Sequence, residues 1–323
     1  MNKDVPIYVI DFMNYLKTIK GLSSSTVNEY YYDCRLFLKY IKIRKNPYKY
    51  DLENIDDIDI NDFSLDDLEK INLIDIHSYI SYRDNNRDNN STTRARKISS
   101  LRTFYKYMVT VTGQIKNNPT LDLETPKIKK RNPVYLTLDE STKLLETIAE
   151  EKNIFTRKRD FSIVLTFLTT GIRLSELSSM NINTIKDLQF SVIGKGNKER
   201  IVYMTEACKM ALDDYINVRP EITGEEALYL SNRNNRMSNR AIQHMLDKYL
   251  LKCGLDIKIY SPHKLRHTAA TLMYKEGVDI RTLQKILGHT SVATTQIYTH
   301  VEDDDMRKAI NFNPLSKIIK SKK

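Results

Sequence analysis

The seven residues Ser261-Pro262-His263-Lys264-Leu265-Arg266-His267 decide how the last third of this chain folds. Serine followed by proline is a typical helix start, because the serine side chain can cap the helix and proline lacks an N–H that the first turn leaves unpaired anyway. His263, Arg266 and His267 then share one face of the helix, near the positive end of its dipole. This face is therefore suited to binding an anion.

Two other interpretations of the helix have to be weighed. In one, His263 and His267 form a buried pair and Arg266 is an ordinary surface cation. In the other, the His-x-x-x-His spacing binds zinc, but a hydrolase site of this type needs a glutamate directly after the first histidine, and position 264 is lysine. The sequence therefore predicts no metal ion at this helix and no cofactor.

A second arginine, Arg173, follows the turn Thr169-Thr170-Gly171 and precedes an amphipathic segment. Glu176, three residues further on, could hold its guanidinium in place, although an ordinary helix salt bridge would have the same spacing. A guanidinium binds two phosphate oxygens at once, and two guanidinium groups can spread the charge of a pentacoordinate transition state much as a metal ion would. Arg173 is therefore a candidate partner of Arg266 at a phosphodiester.

A candidate proton donor is Lys195, which stands between Gly194 and Gly196 at the predicted tip of a β-hairpin. A long side chain at such a tip can reach into a groove, although lysine beside glycine is also common in plain turns. Lys198 and Arg200 lie next to it and make a phosphate contact more credible. A neighbourhood of cations would lower the pKa of a lysine and suit it to act as a general acid.

The candidate nucleophile is Tyr298, one of twenty tyrosines in the chain. Its position, nine residues after His289 in a predicted short helix, distinguishes it from the others. A phenol that attacks phosphorus forms a covalent phosphotyrosine and conserves the bond energy for rejoining, without a metal ion or a nucleotide.

Length, charge and cysteine content limit the class of protein. A chain of 323 residues predicts two compact units, and a net charge of +10 favours an anionic partner, with nucleic acid first among the candidates. Cys34, Cys208 and Cys253 lie far apart, which argues against a disulfide framework and a thiolate zinc site. With no signal peptide and no apolar run of the ~18 residues that a membrane span needs, we expect a soluble cytoplasmic protein.

Helical periodicity dominates the first part of the chain. It predicts a helix from Ile7 onward, a second helix that begins at Ser25 or Thr26, and a basic helix over residues 91–108. Residues 51–75 are crowded with carboxylates, and we expect them to form a solvated, outward-facing loop with a short helix. The basic helix supplies four candidate DNA contacts, Arg94, Arg96, Lys97 and Arg102.

A proline-containing segment, residues 116–133, predicts a linker between a domain over residues 1–115 and a second domain over residues 134–323. After it, Thr137 and Thr156 are predicted to cap helices, and strands are expected over residues 188–193 and 200–204 around a turn at 194–197. A further helix is expected over residues 238–253. The linker and this helix add candidate DNA contacts at Lys127, Lys129, Lys130, Arg131 and Arg240.

Taken together, these motifs resemble the tyrosine recombinase (phage integrase) family, and most closely its Xer-type members. In that family the order Arg, Lys, His-x-x-Arg, His, Tyr defines the active site. The resemblance implies a mainly α fold: a helical, SAM-like core-binding domain and a mixed α catalytic domain with a small antiparallel β-sheet, which form a C-shaped clamp on duplex DNA. In this sequence the six residues, in order, are Arg173, Lys195, His263, Arg266, His289 and Tyr298.

The resemblance also implies a role for each of these residues. Tyr298 would attack and leave a 3′-phosphotyrosyl link, while Lys195 would protonate the departing 5′ oxygen. His263 would assist proton transfer at the tyrosine. The two arginines would hold the non-bridging oxygens, and His289 would bond the phosphate.

Family members work as tetramers that exchange strands through a Holliday junction, so the resemblance implies a homotetramer, or a heterotetramer with a related recombinase. The tail after Tyr298 resembles the segment that docks into a neighbouring protomer, although packing within its own domain would fit as well. The Xer-like motifs favour chromosome dimer resolution, with a DNA translocase as a candidate activator. Alternatives are integration or excision of a mobile element, inversion of a phase-variable segment, and a DNA-binding regulator without activity. A relaxing activity like that of type IB topoisomerases would be a side reaction.

Overall fold

The structure, a computed structural model, describes residues 4–86, 91–125, 134–194 and 199–288, with side chains in the first of these ranges only as far as Tyr82. The chain divides into two compact units, residues 1–130 and 131–323. Helices dominate both units, and the second also contains a small antiparallel sheet, so the predicted mainly α fold is confirmed. Within the described ranges, no helix is both long and apolar enough to cross a membrane.

The first unit packs its helices around an aromatic core. The ring of Phe12 lies 5.3 Å from that of Phe104, and the ring of Phe37 lies 5.3 Å from that of Tyr79, measured between centroids. All four side chains are buried, and rings at such distances add to the stabilisation from burial itself. The elements are α1 (Ile7–Thr18), α2 (Ser24–Lys45), a 3₁₀ turn (Leu52–Asp57), α3 (Leu65–Glu69), α4 (Leu73–Asn86), α5 (Ser91–Lys106) and a π-helical turn (Tyr107–Val111).

The acidic segment 51–75 includes the expected short helix, but it is more than a solvated loop. Several of its apolar residues are buried in the first core, and two of them, Ile60 and Leu68, are fully buried. Carboxylates on its outer side pair with cations of α2, as in the ion pair between Lys42 and Asp62. The segment therefore covers the core while it neutralises the basic end of α2.

Part of the predicted linker also packs onto the first unit. The backbone N–H groups of Lys116 and Asn117 donate to the carboxylate of Glu69 at 2.8 and 2.9 Å, and Leu123 is buried in the first core. Residues 126–133 lie outside the described ranges, and with them four predicted DNA contacts: Lys127, Lys129, Lys130 and Arg131.

The second unit is built around a buried helix, α7. It packs against α6, α9 and α11, and its Ile163 and Phe167 are buried in the second core. The elements are α6 (Leu138–Ala149), α7 (Ile154–Thr170), α8 (Leu174–Ser178), β1 (Ile185–Lys186), β2 (Gln189–Ile193), β3 (Glu199–Tyr203), α9 (Glu206–Ile216), α10 (Asn239–Lys252), α11 (Pro262–Lys275) and α12 (Ile280–Leu287).

Side-chain caps precede several helices of this unit, including α6 and α7. The predicted box at α6 is confirmed, since Thr137 accepts from the N–H of Glu140 and the Glu140 carboxylate accepts from the N–H of Thr137. The predicted cap of α7 at Thr156 is wrong. Asn153 takes that position and accepts from the Thr156 N–H at 2.8 Å, because a short amide side chain reaches the third residue of the helix.

The sheet is antiparallel in the order β1, β2, β3. The two predicted strands are confirmed as β2 and β3, in a register that pairs Val192 with Arg200 and Ile193 with Glu199. The short strand β1 was not predicted. Residues 194–198 join β2 to β3, and 195–198 lie outside the described ranges.

Candidate active site

The first arginine of the site is placed by the end of α7 and the start of α8. Gly171 ends α7 in the left-handed conformation, with φ of 62°, and Arg173 then directly precedes α8. The backbone N–H of Arg173 donates to Glu176 Oε2 at 3.0 Å, and its guanidinium Nη1 donates to Oε1 at 2.8 Å. The Arg173 side chain remains 33% exposed, so part of its guanidinium can face an anion.

The second arginine, Arg266, lies on α11 and is buried, at 3% exposure. Its Nη1 donates to the Gly171 carbonyl and its Nη2 to the Leu287 carbonyl, both at 2.6 Å. Arg173 Nη2 donates to the carbonyl of Gly288 at 2.9 Å. The structure therefore brings both predicted phosphate-binding arginines to the same place, the end of α12.

The last carbonyls of α12 explain this convergence. A helix leaves its final carbonyl groups without partners and carries a partial negative charge at that end. Here the oxygens of Ile286, Leu287 and Gly288, which we name the carbonyl end of α12, accept from three guanidinium groups. The chain leaves the helix through Gly288, at φ of 63°, and His289 follows directly.

His263 lies in the first turn of α11, next to His267. Their Nε2 atoms are 3.0 Å apart, and the rings meet edge to face with centroids 4.5 Å apart. Pro262 occupies the first helical position as predicted, but the Ser261 side chain makes no capping bond, so the predicted serine cap is wrong. The extended backbone of Ser261 (φ −157°) differs from that of the capping residues of other helices, such as Thr137 at −63°.

The environment of His263 keeps its imidazole neutral. Partial burial lowers the pKa of His263 below its usual 6.5, and the nearby charges of Arg266, Lys264 and Arg173 lower it further. A neutral imidazole can accept a proton near neutral pH. The described part of the site therefore combines the two arginines that the sequence predicts as phosphate-binding groups with a histidine whose pKa is lowered.

The other predicted catalytic residues, Lys195, His289 and Tyr298, lie outside the described ranges, as does Lys198. Their roles stay predictions. The described ranges contain no group of three or more histidine, cysteine, aspartate or glutamate side chains that could hold a metal ion.

Three predicted DNA contacts on α5 are engaged inside the first unit. The Lys97 side chain is only 7% exposed, and its ammonium lies 2.8 Å from Asp33. Arg96 also pairs with Asp33 but is 38% exposed. Arg102 donates to the Thr125 hydroxyl at 2.7 Å. Arg94 on the same helix is partly buried, and the remaining described candidate, Arg240, is exposed at the start of α10.

The structure assigns Arg200 a partner that the sequence analysis missed. Arg200 was predicted as a phosphate contact, but its Nη2 donates to Glu176 Oε2 and its Nη1 to the Ile286 carbonyl, both at 2.8 Å. A signal was present in the sequence. Alternate residues of a strand face the same side, so Arg200 shares a face with the apolar Val202, which is buried.

The fold and these groups define a mostly helical protein of two units, with an arginine and histidine site suited to a phosphodiester. Residues 134–305 match the phage integrase family, and residues 46–110 match the SAM-like N-terminal domain of phage integrases. The chain belongs to this family, the tyrosine recombinases, and it is a site-specific recombinase of the Xer type, as the sequence predicted.

Two named relatives agree with this assignment. The tyrosine recombinase XerC of Caldanaerobacter subterraneus subsp. tengcongensis is 46% identical over 96% of this chain and 88% of that protein. The tyrosine recombinase XerD of Staphylococcus epidermidis is 32% identical over 92% of this chain and 95% of its own length.

Two solved structures share the fold at lower identity. One is a XerH site-specific recombinase bound to palindromic difH substrate in a post-cleavage complex, with a TM-score of 0.68, 19% identity and coverage of 96% and 97% of the two chains. The other is a lambda integrase dimer bound to a COC′ core site, with a TM-score of 0.64, 20% identity and coverage of 89% and 96%.

Proposed function

We propose that this recombinase cuts and rejoins duplex DNA at a specific site through a covalent 3′-phosphotyrosyl intermediate at Tyr298. The observation that carries the proposal is the convergence of Arg173 and Arg266 beside a neutral His263. Two guanidinium groups fixed in advance supply charge where a phosphoryl transition state needs it. Both are held by protein carbonyls before the substrate arrives, so little reorganisation is required.

The proposed step balances as a transesterification. The Tyr298 oxygen forms a bond to phosphorus while the bond from phosphorus to the 5′ oxygen breaks. The phenol proton passes to His263, and Lys195 gives a proton to the departing 5′ oxygen. Rejoining is the same step in reverse, in which a 5′ hydroxyl attacks the phosphotyrosine. No metal ion and no cofactor takes part.

The biological role we favour is resolution of chromosome dimers in the cytoplasm, by four protomers of this chain or of this chain and a related recombinase. The Xer-type relatives support this choice. Residues 1–115 would form the core-binding domain and residues 134–323 the catalytic domain, whose tail docks on a neighbouring protomer. A translocase would be an external activator. Integration and inversion use the same chemistry, and a topoisomerase-like relaxation of DNA would accompany any of these roles.

Covalent trapping tests the proposal. The full chain is incubated with a library of nicked duplexes that carry randomised sequence around the nick, and protein–DNA adducts are isolated on a denaturing gel and sequenced. We expect the native chain to form an adduct enriched in one sequence and Tyr298→Phe to form none. Tyr48→Phe is a matched control, because Tyr48 is a fully exposed tyrosine of the first unit. An adduct that persists in Tyr298→Phe would overturn the assignment of the nucleophile.

Tight, sequence-selective binding without any adduct would instead favour the regulator alternative. Trapping in the presence of a chelator separates the metal-free mechanism from a metal-dependent one. We expect the adduct yield to be the same with and without chelator, and a loss of adduct in chelator would contradict the proposed mechanism.

A further inference from the structure

The Arg200 side chain connects the β2–β3 hairpin to the end of α12. Its guanidinium spans Glu176 Oε2 and the Ile286 carbonyl, and the side chain is only 17% exposed. We propose that Arg200 is a positioning residue. It fixes the positions of the carbonyl end of α12 and of the Arg173–Glu176 pair relative to strands β2 and β3, which flank the segment containing Lys195. The inference rests on the proposed function and deepens it, because it adds a residue that acts through other residues.

Glu176 is the point at which the two arginines meet. Its carboxylate is 2% exposed, and its two oxygens accept from Arg173 and Arg200. Burial alone would raise the pKa of Glu176, but hydrogen bonds from Arg200 and from the Arg173 backbone, together with the Arg200 charge, lower it below its usual value. Glu176 therefore stays ionised. Without Arg200, a buried carboxylate would keep Arg173 as its single charged partner in this ion-pair cluster.

Gly288 shows how closely Arg200 packs against the exit from α12. A Cβ atom built on Gly288 would lie 2.9 Å from Arg200 Cδ and 3.0 Å from its Nε, distances that real Cβ atoms rarely or never show. The Arg200 stem therefore occupies the space beside the backbone of Gly288. His289 is the next residue in the sequence, so Arg200 packs against the last described position before it.

The other end of the connection is the hairpin. Arg200 pairs with Val192 in the β2–β3 register, and the pair Ile193–Glu199 is the last described pair before the tip. Lys195 follows Ile193 by two residues. A displacement of the hairpin would therefore pull on Arg200, and through it on the carbonyl end of α12. In this way one side chain couples the segments that carry the general acid, the first arginine and the second histidine.

The competing assignment is a direct phosphate contact, as the sequence analysis predicted for Arg200. The two roles differ in what they do to binding. Loss of a phosphate contact lowers affinity and reduces the slope of log K against log salt by about 0.9 per contact. Loss of a positioning residue leaves affinity and slope unchanged and slows the chemical step, because a displacement of about 1 Å at a reacting group can cost about 10²-fold in rate.

The test compares Arg200→Met with the native chain on the duplex recovered by trapping. We expect cleavage at saturating DNA to slow by about 10²-fold, with an unchanged dissociation constant and salt slope. The control variant Arg233→Met removes one exposed cation from the same unit. Its cleavage rate, dissociation constant and salt slope should equal those of the native chain. Circular dichroism at the assay temperature checks that each variant is folded, and Arg200→Lys, which keeps the charge but lacks the planar fork, should cleave at an intermediate rate.

A double-mutant cycle with Glu176→Gln tests whether Arg200 influences the cleavage rate through Glu176. If Arg200 acts through Glu176, the double variant should cleave within about threefold of the slower single variant, whereas independent effects would multiply. A reduced salt slope with a native cleavage rate at saturation would overturn the inference and restore the phosphate contact. Native rates in Arg200→Met would also overturn it. Failure of the native chain to form any adduct would contradict the proposed function itself.

Discussion

The Nε2 atom of His263 lies 3.0 Å from the Nε2 atom of His267, so one imidazole donates a hydrogen bond to the other. In the tautomer in which His263 donates, its Nδ1 keeps a lone pair that can accept a proton. In that tautomer the contact leaves Nδ1 as the ring nitrogen of His263 that can serve the reaction. His267, outside the six residues that define the family's site, acts in this view on the orientation and tautomer of His263.

His267→Ala should consequently slow cleavage while His267→Gln retains more of the native rate. The loss of one hydrogen bond is worth about 1 kcal/mol, which corresponds to roughly a fivefold lower rate in single-turnover cleavage at saturating DNA. Glutamine offers a polar atom to His263, whereas alanine offers none. His77→Ala, which removes an exposed histidine from the first unit, should leave the rate unchanged. Equal rates for His267→Ala and the native chain would refute a role in positioning His263.

The lowered pKa of His263 leads to a prediction about pH. The neutral imidazole is the active form, so on the acid side of the profile the cleavage rate should stay flat down to about pH 6.5 and decline only as the pH falls through the lowered pKa of His263. Lys264 is one of the charges that disfavour the protonated form. Lys264→Met should therefore raise the pKa of His263 and move the acid limb of the rate profile to higher pH.

The control for this shift is Lys258→Met, which removes an exposed lysine of the same unit that is not among the charges acting on His263. Its profile should coincide with that of the native chain. A shift of the acid limb to lower pH in Lys264→Met would reverse the assigned sign and contradict His263 as the proton acceptor.

The parts of the site that depend on local pattern could be predicted from the sequence. Arg173 and Glu176 are three residues apart, and His263 and Arg266 share a helix face, so their proximity follows from helix geometry. The partner of Arg200 could not be found in this way. Ile286 lies 86 positions further along the chain and contributes a backbone carbonyl, a group that leaves no trace in residue type.

The packing of the acidic segment 51–75 also could not be predicted from the sequence. Its carboxylates dominated the sequence interpretation, but the interleaved Ile55, Ile58, Ile60 and Phe63 decide how it packs. These isoleucines follow neither the period of a helix nor that of a strand, because a 3₁₀ turn and extended pieces alternate there. This stretch of core therefore depends on tertiary packing and leaves no periodic signal in the sequence.

Two glycines in the same left-handed conformation provide a matched test of packing at the site. Gly171 has φ of 62° and Gly254 has φ of 77°, so alanine is strained by about 1–2 kcal/mol at either position. A Cβ at Gly171 would also lie 2.8 Å from the Cδ2 of Leu287, which is fully buried, whereas a Cβ at Gly254 would meet nothing within 4 Å. Overpacking of this kind adds about 1–3 kcal/mol.

Urea unfolding followed by circular dichroism should show this difference. We expect Gly171→Ala to lose about 3 kcal/mol in the free energy of unfolding and Gly254→Ala about 1 kcal/mol. Equal losses would mean that α7 and α12 move apart without cost, against the close contact between Gly171 and Leu287.

The buried pair between Asp33 and Lys97 makes a prediction for the first unit. Both side chains are nearly inaccessible, at 3% and 7% exposure. Asp33→Ala would leave the Lys97 ammonium buried without this partner, which typically costs 3–5 kcal/mol in the free energy of unfolding. Asp62→Ala is the matched control, because Asp62 pairs with Lys42 but is 69% exposed, and its loss should cost less than about 1 kcal/mol.

The double variant Asp33→Leu/Lys97→Met separates stability from DNA binding. Replacing both charges with apolar side chains of similar size should recover most of the lost stability, since neither charge of the pair is left unpaired and Arg96, the other partner of Asp33, keeps its ion pair with Glu29. If Lys97 is committed to Asp33, the double variant should bind DNA with the native salt slope. A salt dependence that is shallower by about 0.9 in slope would show that Lys97 leaves its buried partner and contacts a phosphate, as the sequence predicted.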